Sequence, residues 1–307
     1  MPRHISIVFP GQGSQSTSML DLIPETVINK YKDIVFNTLE FDLIDIVKNG
    51  TFEELSKTSI TQPAILLISF LLYKHISQEL RFSPNLMCGH SLGEYSALVA
   101  SNSLDLTDAL KIVHKRGIFM ENCKSGSMCA VLNVESNIIK DICNIASLET
   151  RSLVTIANLN TPNQTVIAGD NQAVDFAIKI FKERGYKKCI KLKVSVASHC
   201  ELMLSASKKL SKLLNKTNFN KPNIDVIHNL DGVQSKDINE LRAKLINQLV
   251  KPVQWIKIMN HIKSYNGVII ECGPGKVLSG LAKGNDIINN VFSVSDASFF
   301  DNMKKIL

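Results

Sequence analysis

Apolar and polar positions along this 307-residue chain fall into two rhythms. "HISIVF" (4–9) is a short β-rich apolar run ending at Pro10-Gly11, which predicts a buried strand and a turn. "NLMCG" (85–89), "IDVIHN" (224–229) and "GVIIECG" (267–273) share its length and character and predict further strands. From Thr61, "TQPAILLISFLLYKHISQEL" is apolar over too long a stretch for a strand and carries Pro63 near its start, so it predicts a central, largely buried helix. Leu92, Tyr95, Leu98 and Val99 recur at helical spacing, and "LTDALKIVHKRGIFMENC" (106–123) predicts an amphipathic helix with Thr107 as its N-cap. Helices are also expected near 237–250 and 254–264. Helices alternating with short apolar strands imply an α/β fold with a mainly parallel core.

The order changes between 127 and 194. Strands are expected at 128–134, 152–157, 164–168 and 187–194, with helices at 136–147 and 171–184. That sequence of elements, βαββαβ, is the ferredoxin-like arrangement. Because the outer alternation resumes after "SHCELM", residues 127–194 are expected to form a small inserted subdomain, and 1–126 with 195–307 the large α/β subdomain.

Composition narrows the class. Hydrophobic residues make up 45% and charged residues 21%, as in ordinary folded domains. The most apolar run, "AILLISFLL" (64–72), is half the length needed to cross a bilayer, and "MPRHISIVFPGQG" lacks a signal peptide's apolar core, so no membrane association and a cytoplasmic location are expected. Seven cysteines, scattered and never spaced C-x-x-C, suggest neither a disulfide framework nor a zinc site, and no metal is expected. The net charge of +7 is concentrated in "KKCIKLK" (187–193) and "KKLSKLLNK" (208–216). Such stretches form either a solvated lysine-rich surface or a docking site for an acidic partner. Nucleic acid is not expected, since aromatics are only 6% and no recognition motif accompanies the charge.

Candidate chemistry centres on "CGHSLGEYSALVAS" (88–101), where Ser91 stands between Gly89 and Gly93 at a strand-to-helix junction. Small flanking residues permit a sharp, strained turn that exposes the serine Oγ beside the N–H groups of a helix N-terminus, as in hydrolase-like parallel-sheet cores. By itself the stretch is equally compatible with a serine that only caps the helix. A nucleophile needs a base, and among seven histidines His199 is best placed, at the end of the strand-like "KLKVSVAS". His90 sits on the elbow itself, where adjacency turns its side chain away from the Ser91 Oγ. A serine hydrolase triad would add a carboxylate, yet Asp170, Asp175 and Glu183 all fall within the inserted subdomain. A neutral carbonyl orienting the imidazole, and hence a Ser-His dyad, is the expected alternative.

Seven segments then combine: "FPGQGSQ" (9–15), "GHSLGEYSAL" (89–98), "KRG" with a following "FM" (115–120), "NLNTPNQTVIAG" (158–169), "VSVASH" (194–199), "NQLVKPVQW" (247–255) and "ECGPGKVLSGL" (271–281). In this order, over nearly the whole chain, they resemble the motif series of malonyl-CoA:acyl-carrier-protein transacylases. The resemblance implies Ser91 as the acylated nucleophile, His199 as general base and acid, and Gln248 as the residue whose carbonyl orients His199. It implies an oxyanion hole from the backbone N–H groups of Gln12 and Leu92. Arg116 matches the arginine that grips the malonyl carboxylate, and His90 and Asn160 are carried over as substrate-binding positions. The implied reaction transfers malonyl from malonyl-CoA to the phosphopantetheine thiol of an acidic acyl carrier protein, by a ping-pong route feeding fatty-acid biosynthesis. Malonyl-CoA is then a substrate, no cofactor is expected, and a monomer is expected. "GPGKVLSG" is expected to be a tight turn opening a helix. A serine esterase or thioesterase on the same dyad, and a non-catalytic scaffold, are the competing classes.

Overall fold

The structure, a computed structural model, describes residues 4–194 and 196–307. In chain order the elements are β1 (Ile5–Phe9), four short helices α1 (Glu25–Asn29), α2 (Lys32–Leu39), α3 (Leu43–Asn49) and α4 (Phe52–Leu55), then α5 (Thr58–Leu80), β2 (Leu86–Gly89), α6 (Gly93–Ala100) and α7 (Leu106–Glu121). There follow β3 (Ser127–Leu132), α8 (Ser136–Thr150), β4 (Val154–Thr161), β5 (Gln164–Gly169), α9 (Asn171–Glu183) and β6 (Cys189–Lys191). The last stretch holds α10 (Leu204–Leu214), β7 (Asp225–Ile227), α11 (Ile238–Gln248), α12 (Trp255–Lys263), β8 (Val268–Glu271), α13 (Val277–Gly284), β9 (Val291–Ser293) and α14 (Phe299–Ile306).

The larger sheet has the order β7-β2-β1-β8-β9 with every pair parallel. Its strands are apolar on both faces because helices cover both sides, as expected for a parallel sheet. Register sets Phe9 against Gly89 and Val8 against both Cys88 and Glu271, so the carboxyl ends of β1, β2 and β8 lie side by side. The loops leaving those ends carry Gln12, Ser91 and the turn before α13, at the edge where parallel sheets bind ligands.

Helix α5 runs through the core, with Ile65, Leu66, Ile68, Leu71 and Leu72 wholly buried. It is long and apolar enough to cross a membrane, but about two thirds of its apolar window, 67%, is buried inside the protein, which accounts for its composition. It starts at Thr58, three residues before the expected Thr61, so Pro63 falls in its second turn. Proline has no N–H to offer the carbonyl four residues back, here that of Ser59. The ring Nδ1 of His114 on α7 donates to that carbonyl instead, at 2.9 Å.

The smaller sheet has the order β4-β5-β3-β6, all antiparallel. In the numbering of its own four strands this is 2-3-1-4, the ferredoxin-like topology anticipated from βαββαβ. Period-two alternation divides its faces. Cys129, Val131 and Ile167 pack against α8 and α9 through Ile139, Ile142, Val174 and Phe181. Met128, Ala130, Val166 and Ala168 face the other way, toward Ala197 and Cys200. Backbone bonds from Leu159 N to Val253 O and from Val253 N to Ala157 O, each 2.9 Å, tie this sheet to the segment before α12.

Two expectations are corrected. Asp105, not Thr107, caps α7: its carboxylate accepts from the Thr107 N–H at 2.8 Å, because the helix begins at Leu106 and the acid precedes it. The strand expected over 187–194 is regular only at Cys189–Lys191, which are in register with β3, while Lys188 and Leu192 flank it with one backbone bond each, from Leu132 N to Lys188 O and from Leu192 N to Met128 O; Ser195, further along the expected strand-like run, lies outside the described residues. The short edge strand β9 and the helices α1 to α4, α10 and α14 were not anticipated from the pattern. Segment 273–280 does form a turn that opens α13.

Candidate active site

Gly89 ends β2 and Gly93 begins α6, and the chain reverses between them. A Cβ on Gly89 would lie 2.0 Å from the Gly93 carbonyl, and one on Gly93 would lie 2.1 Å from the Phe9 oxygen. Only glycine permits that approach, so the elbow is dictated by these two positions. The turn holds Ser91 in the left-handed region, at φ 51°. Asn229, just past the end of β7, braces it by accepting the Ser91 N–H on Oδ1 at 2.7 Å.

His199 is also left-handed, at φ 62°, and its N–H donates to the Leu249 carbonyl. Its Nε2 lies 2.8 Å from the Ser91 Oγ, and its Nδ1 lies 2.7 Å from the Gln248 carbonyl oxygen. A carbonyl only accepts, so the ring proton sits on Nδ1 and Nε2 is free to receive the serine proton. Burial, opposed by the Gln248 carbonyl and aided by the Arg116 and His90 charges, holds the His199 pKa down at about 3. The carbonyl anticipated in place of a triad carboxylate therefore lies in the orienting position.

Among the described residues, the backbone N–H groups of Gln12 and Leu92 have no intramolecular acceptor. Leu92 immediately precedes the first turn of α6, where unpaired N–H groups carry the helix's positive end. The Gln12 side chain donates from Nε2 to the Thr58 Oγ1 at 3.1 Å, anchoring its loop to the start of α5.

Arg116 extends from α7 and is 1% exposed. Its Nη1 donates to Gln62 Oε1 at 2.7 Å and its Nη2 to Gln248 Oε1 at 3.3 Å, while Nε has no partner. Both partners are neutral amides. Among the described residues no carboxylate forms an ion pair with it. Burial pushes its pKa below the ordinary arginine value, yet a guanidinium keeps its charge in proteins. A buried cation held by neutral groups is an incomplete site, and a carboxylate completes it.

His90 turns away from the nucleophile, as adjacency predicts: its Nε2 bonds Asn160 Oδ1 at 2.9 Å and its ring lies 5.1 Å from that of Trp255. Asn160 in turn donates to Gln164 Oε1 at 3.0 Å. These groups surround a cavity of about 310 Å³, lined by Gln12, His90, Ser91, Arg116 and His199 from one side and by Met128, Ala130, Asn160 and Val166 from the smaller sheet. Gln248 and Leu92 stand behind its wall, both buried.

Four further residues complete the site and were not singled out from the sequence: Gln62, Glu94, His228 and Asn229. Glu94 is wholly buried. Its Oε1 accepts from His228 Nδ1 at 2.7 Å, and its Oε2 accepts from Asn229 N at 2.9 Å, Asn229 Nδ2 at 2.5 Å and Gln248 Nε2 at 2.8 Å. Burial alone raises this carboxyl, but the donors led by His228 outweigh it and bring the pKa below the usual value. The available signal was a carboxylate within "GEYSALVA", a helix buried at all eight positions.

A serine, a correctly tautomerised base, two free N–H donors and a buried guanidinium without an ionic partner among the described residues are arranged for transfer of an acyl group that carries a distal carboxylate.

Comparison with known proteins follows the same line. The family model for the acyl transferase domain matches residues 7–297. A malonyl CoA-acyl carrier protein transacylase from Haemophilus influenzae is 38% identical over 314 aligned residues, covering 99% of both chains. The crystal structure of FabD from Acinetobacter baumannii superposes with a TM-score of 0.94 at 36% identity, covering 100% of this chain and 99% of that one. A malonyl-transacylase in complex with its type II PKS acyl-carrier protein superposes with a TM-score of 0.92 at 34% identity, covering 98% and 99%.

Proposed function

This chain belongs to the acyl transferase domain family, and from that membership we propose that it transfers malonyl from malonyl-CoA to the phosphopantetheine thiol of an acyl carrier protein for fatty-acid synthesis. The observation that carries the choice of acyl group is Arg116, a buried guanidinium without a carboxylate partner at the wall of the cavity that holds Ser91.

In the first half-reaction the free malonyl carboxylate binds the Arg116 guanidinium, which directs the thioester carbon toward Ser91. The Oγ attacks that carbon while His199 Nε2 takes its proton, and the developing oxyanion is held by the N–H groups of Gln12 and Leu92. The carbon–sulfur bond breaks and the Nε2 proton passes to the departing CoA sulfur. The Gln248 carbonyl stabilises the protonated imidazole in between through Nδ1. In the second half the carrier's thiol gives its proton to His199, its sulfur attacks the malonyl-serine ester, and Ser91 recovers the proton. His90 and Asn160 shape the acyl pocket.

Every group in this scheme comes from one chain, so a monomer suffices. Malonyl-CoA is consumed as substrate and no step calls on a metal or resident cofactor. The scheme fits two subdomains, 1–126 with 195–307 supplying the reacting groups and 127–194 closing the acyl pocket. Malonyl-CoA as donor and an acyl carrier protein as acceptor suit a soluble enzyme of the cytoplasm.

Intact-mass measurement after brief mixing with malonyl-CoA or acetyl-CoA tests this reading. Wild type is expected to gain a malonyl adduct that an acyl carrier protein discharges and water does not, and Ser91→Ala to gain none. Arg116→Ala is expected to lose malonyl loading at least about 100-fold while acetyl loading changes little, since a buried charge-assisted pair is worth about 3 kcal/mol or more. Equal loss of both acyl groups, or rapid hydrolysis of the wild-type adduct, refutes it.

A further inference from the structure

Two amide side chains meet the catalytic apparatus, and each is useful in only one orientation. Asn229 must turn Oδ1 toward the Ser91 N–H, and Gln248 must turn Oε1 toward Arg116 Nη2. A flipped amide would set NH2 against an N–H donor in each case. Both amides also touch Glu94. Asn229 places Nδ2 between Glu94 Oε2 and the Gly89 carbonyl, at 2.5 and 2.6 Å. Gln248 places Nε2 between Glu94 Oε2 and the Ser91 carbonyl, at 2.8 and 3.0 Å.

An ionised carboxylate accepts and never donates. Any amide that faces it must present NH2, and its oxygen then points the other way. We propose that Glu94 is a positioning residue, whose buried carboxylate sets the orientation of the Asn229 and Gln248 amides and so delivers one oxygen to the elbow and the other to the acyl-selecting arginine. The direction of the Glu94 pKa, below the usual carboxylate value, agrees with an acceptor-only group. His228 keeps the carboxylate in place from the far side, through Nδ1 to Oε1. The proposal rests on the malonyl-transfer reading above. It adds that selection by Arg116 is governed by a residue that never touches substrate.

The readout is the ratio of malonyl to acetyl loading on Ser91, measured by intact mass on the full chain. Glu94→Met fills similar space without an acceptor, so the Gln248 amide keeps only its longer bonds to the Ser91 carbonyl and Arg116, at 3.0 and 3.3 Å, and its orientation is weakened. The ratio is expected to fall at least tenfold, because acetyl makes no use of Arg116. Glu94→Gln supplies an amide oxygen at the Oε2 site, and a proton shift from Nδ1 to Nε2 of His228 accommodates its NH2 group. The ratio in that variant is expected to stay within threefold of wild type. If Glu94→Met slows both acyl groups alike with an unchanged ratio, the role is structural and the proposal is overturned. A Glu94→Gln variant as impaired as Glu94→Met assigns the effect to lost charge and also overturns it. Should Glu94→Met give no folded protein, Glu94→Asp decides: its carboxylate is withdrawn by one methylene, and the proposal requires a ratio lowered at least threefold. Absence of a malonyl adduct on wild type would instead refute the malonyl-transfer reading, which keeps the two failures distinct.

Discussion

Both members of the Ser91–His199 pair have left-handed backbones, at φ 51° and 62°. Such conformations cost about 1–3 kcal/mol at a non-glycine residue and persist only where surrounding contacts over-determine them. Here the bracing is visible: Asn229 holds the Ser91 N–H, and the Leu249 and Gln248 carbonyls hold both the backbone and the ring of His199. Burial has a second consequence for His199. The base proposed here is the neutral imidazole, and a pKa lowered from 6.5 to about 3 keeps it neutral in acid. The first-order rate of Ser91 malonylation is therefore expected to stay flat from pH 8 down to about pH 5. Rapid-quench mass spectrometry at saturating malonyl-CoA checks this, and an acid limb with an apparent pKa near the ordinary 6.5 would contradict it. Stability follows the opposite logic. Between the folded and unfolded pKa values the unfolded chain binds the extra proton, so the contribution of this group is fully present above pH 6.5 and declines as the pH falls toward 3.

The elbow is decided by how closely elements approach. Helix α6 can begin one residue past the Leu92 N–H only because Gly93 lies against the Phe9 carbonyl at the end of β1. A methyl group there cannot be relieved by a side-chain rotation, since the neighbour is backbone. Gly93→Ala is expected to lower unfolding free energy by about 3 kcal/mol and to reduce Ser91 malonylation at the same time. Urea unfolding with a parallel loading assay checks both; a variant as stable and as active as wild type would show that the elbow can open without cost. Helix α5 shows a different accommodation. Its Pro63 was legible as a helix-start signal, yet the helix continues past it because His114 from α7 takes over the carbonyl that proline leaves unpaired. Local propensity could not anticipate a donor 55 residues away.

Across the whole molecule, two lysine-rich stretches are exposed, and one of them leads to the smaller-sheet side of the cavity. Lys187 and Lys188 are exposed just before β6, and the chain from β6 leads directly to Leu192 and Val194 on the cavity wall. Lys191 differs, because Asp175 pairs with it at 2.7 Å and offsets its charge. Lys208, Lys209 and Lys212 are exposed along α10. If an acidic carrier docks through Lys187 and Lys188, reversing both to Glu is expected to raise its apparent KM by about tenfold at low salt. Malonyl loading at saturating malonyl-CoA should remain unchanged. A KM that does not move removes this patch from the docking surface.

The parallel α/β core, the βαββαβ insertion and the chemical type of the residues proposed to react were legible along the chain. Strand and helix periods, glycine positions and the spacing of reactive side chains are all written locally along the chain. The sequence also anticipated a carbonyl, not a carboxylate, behind His199. Which buried polar groups meet was settled only in the fold, because Gln62, Glu94 and the adjacent pair His228 and Asn229 come from three separate places in the chain and have no common motif. Periodicity reports which positions leave water. Only folding brings Glu94 within 3 Å of Asn229 and Gln248, residues more than 130 positions away, and leaves the Arg116 cation among neutral amides, open to the carboxylate it is proposed to bind.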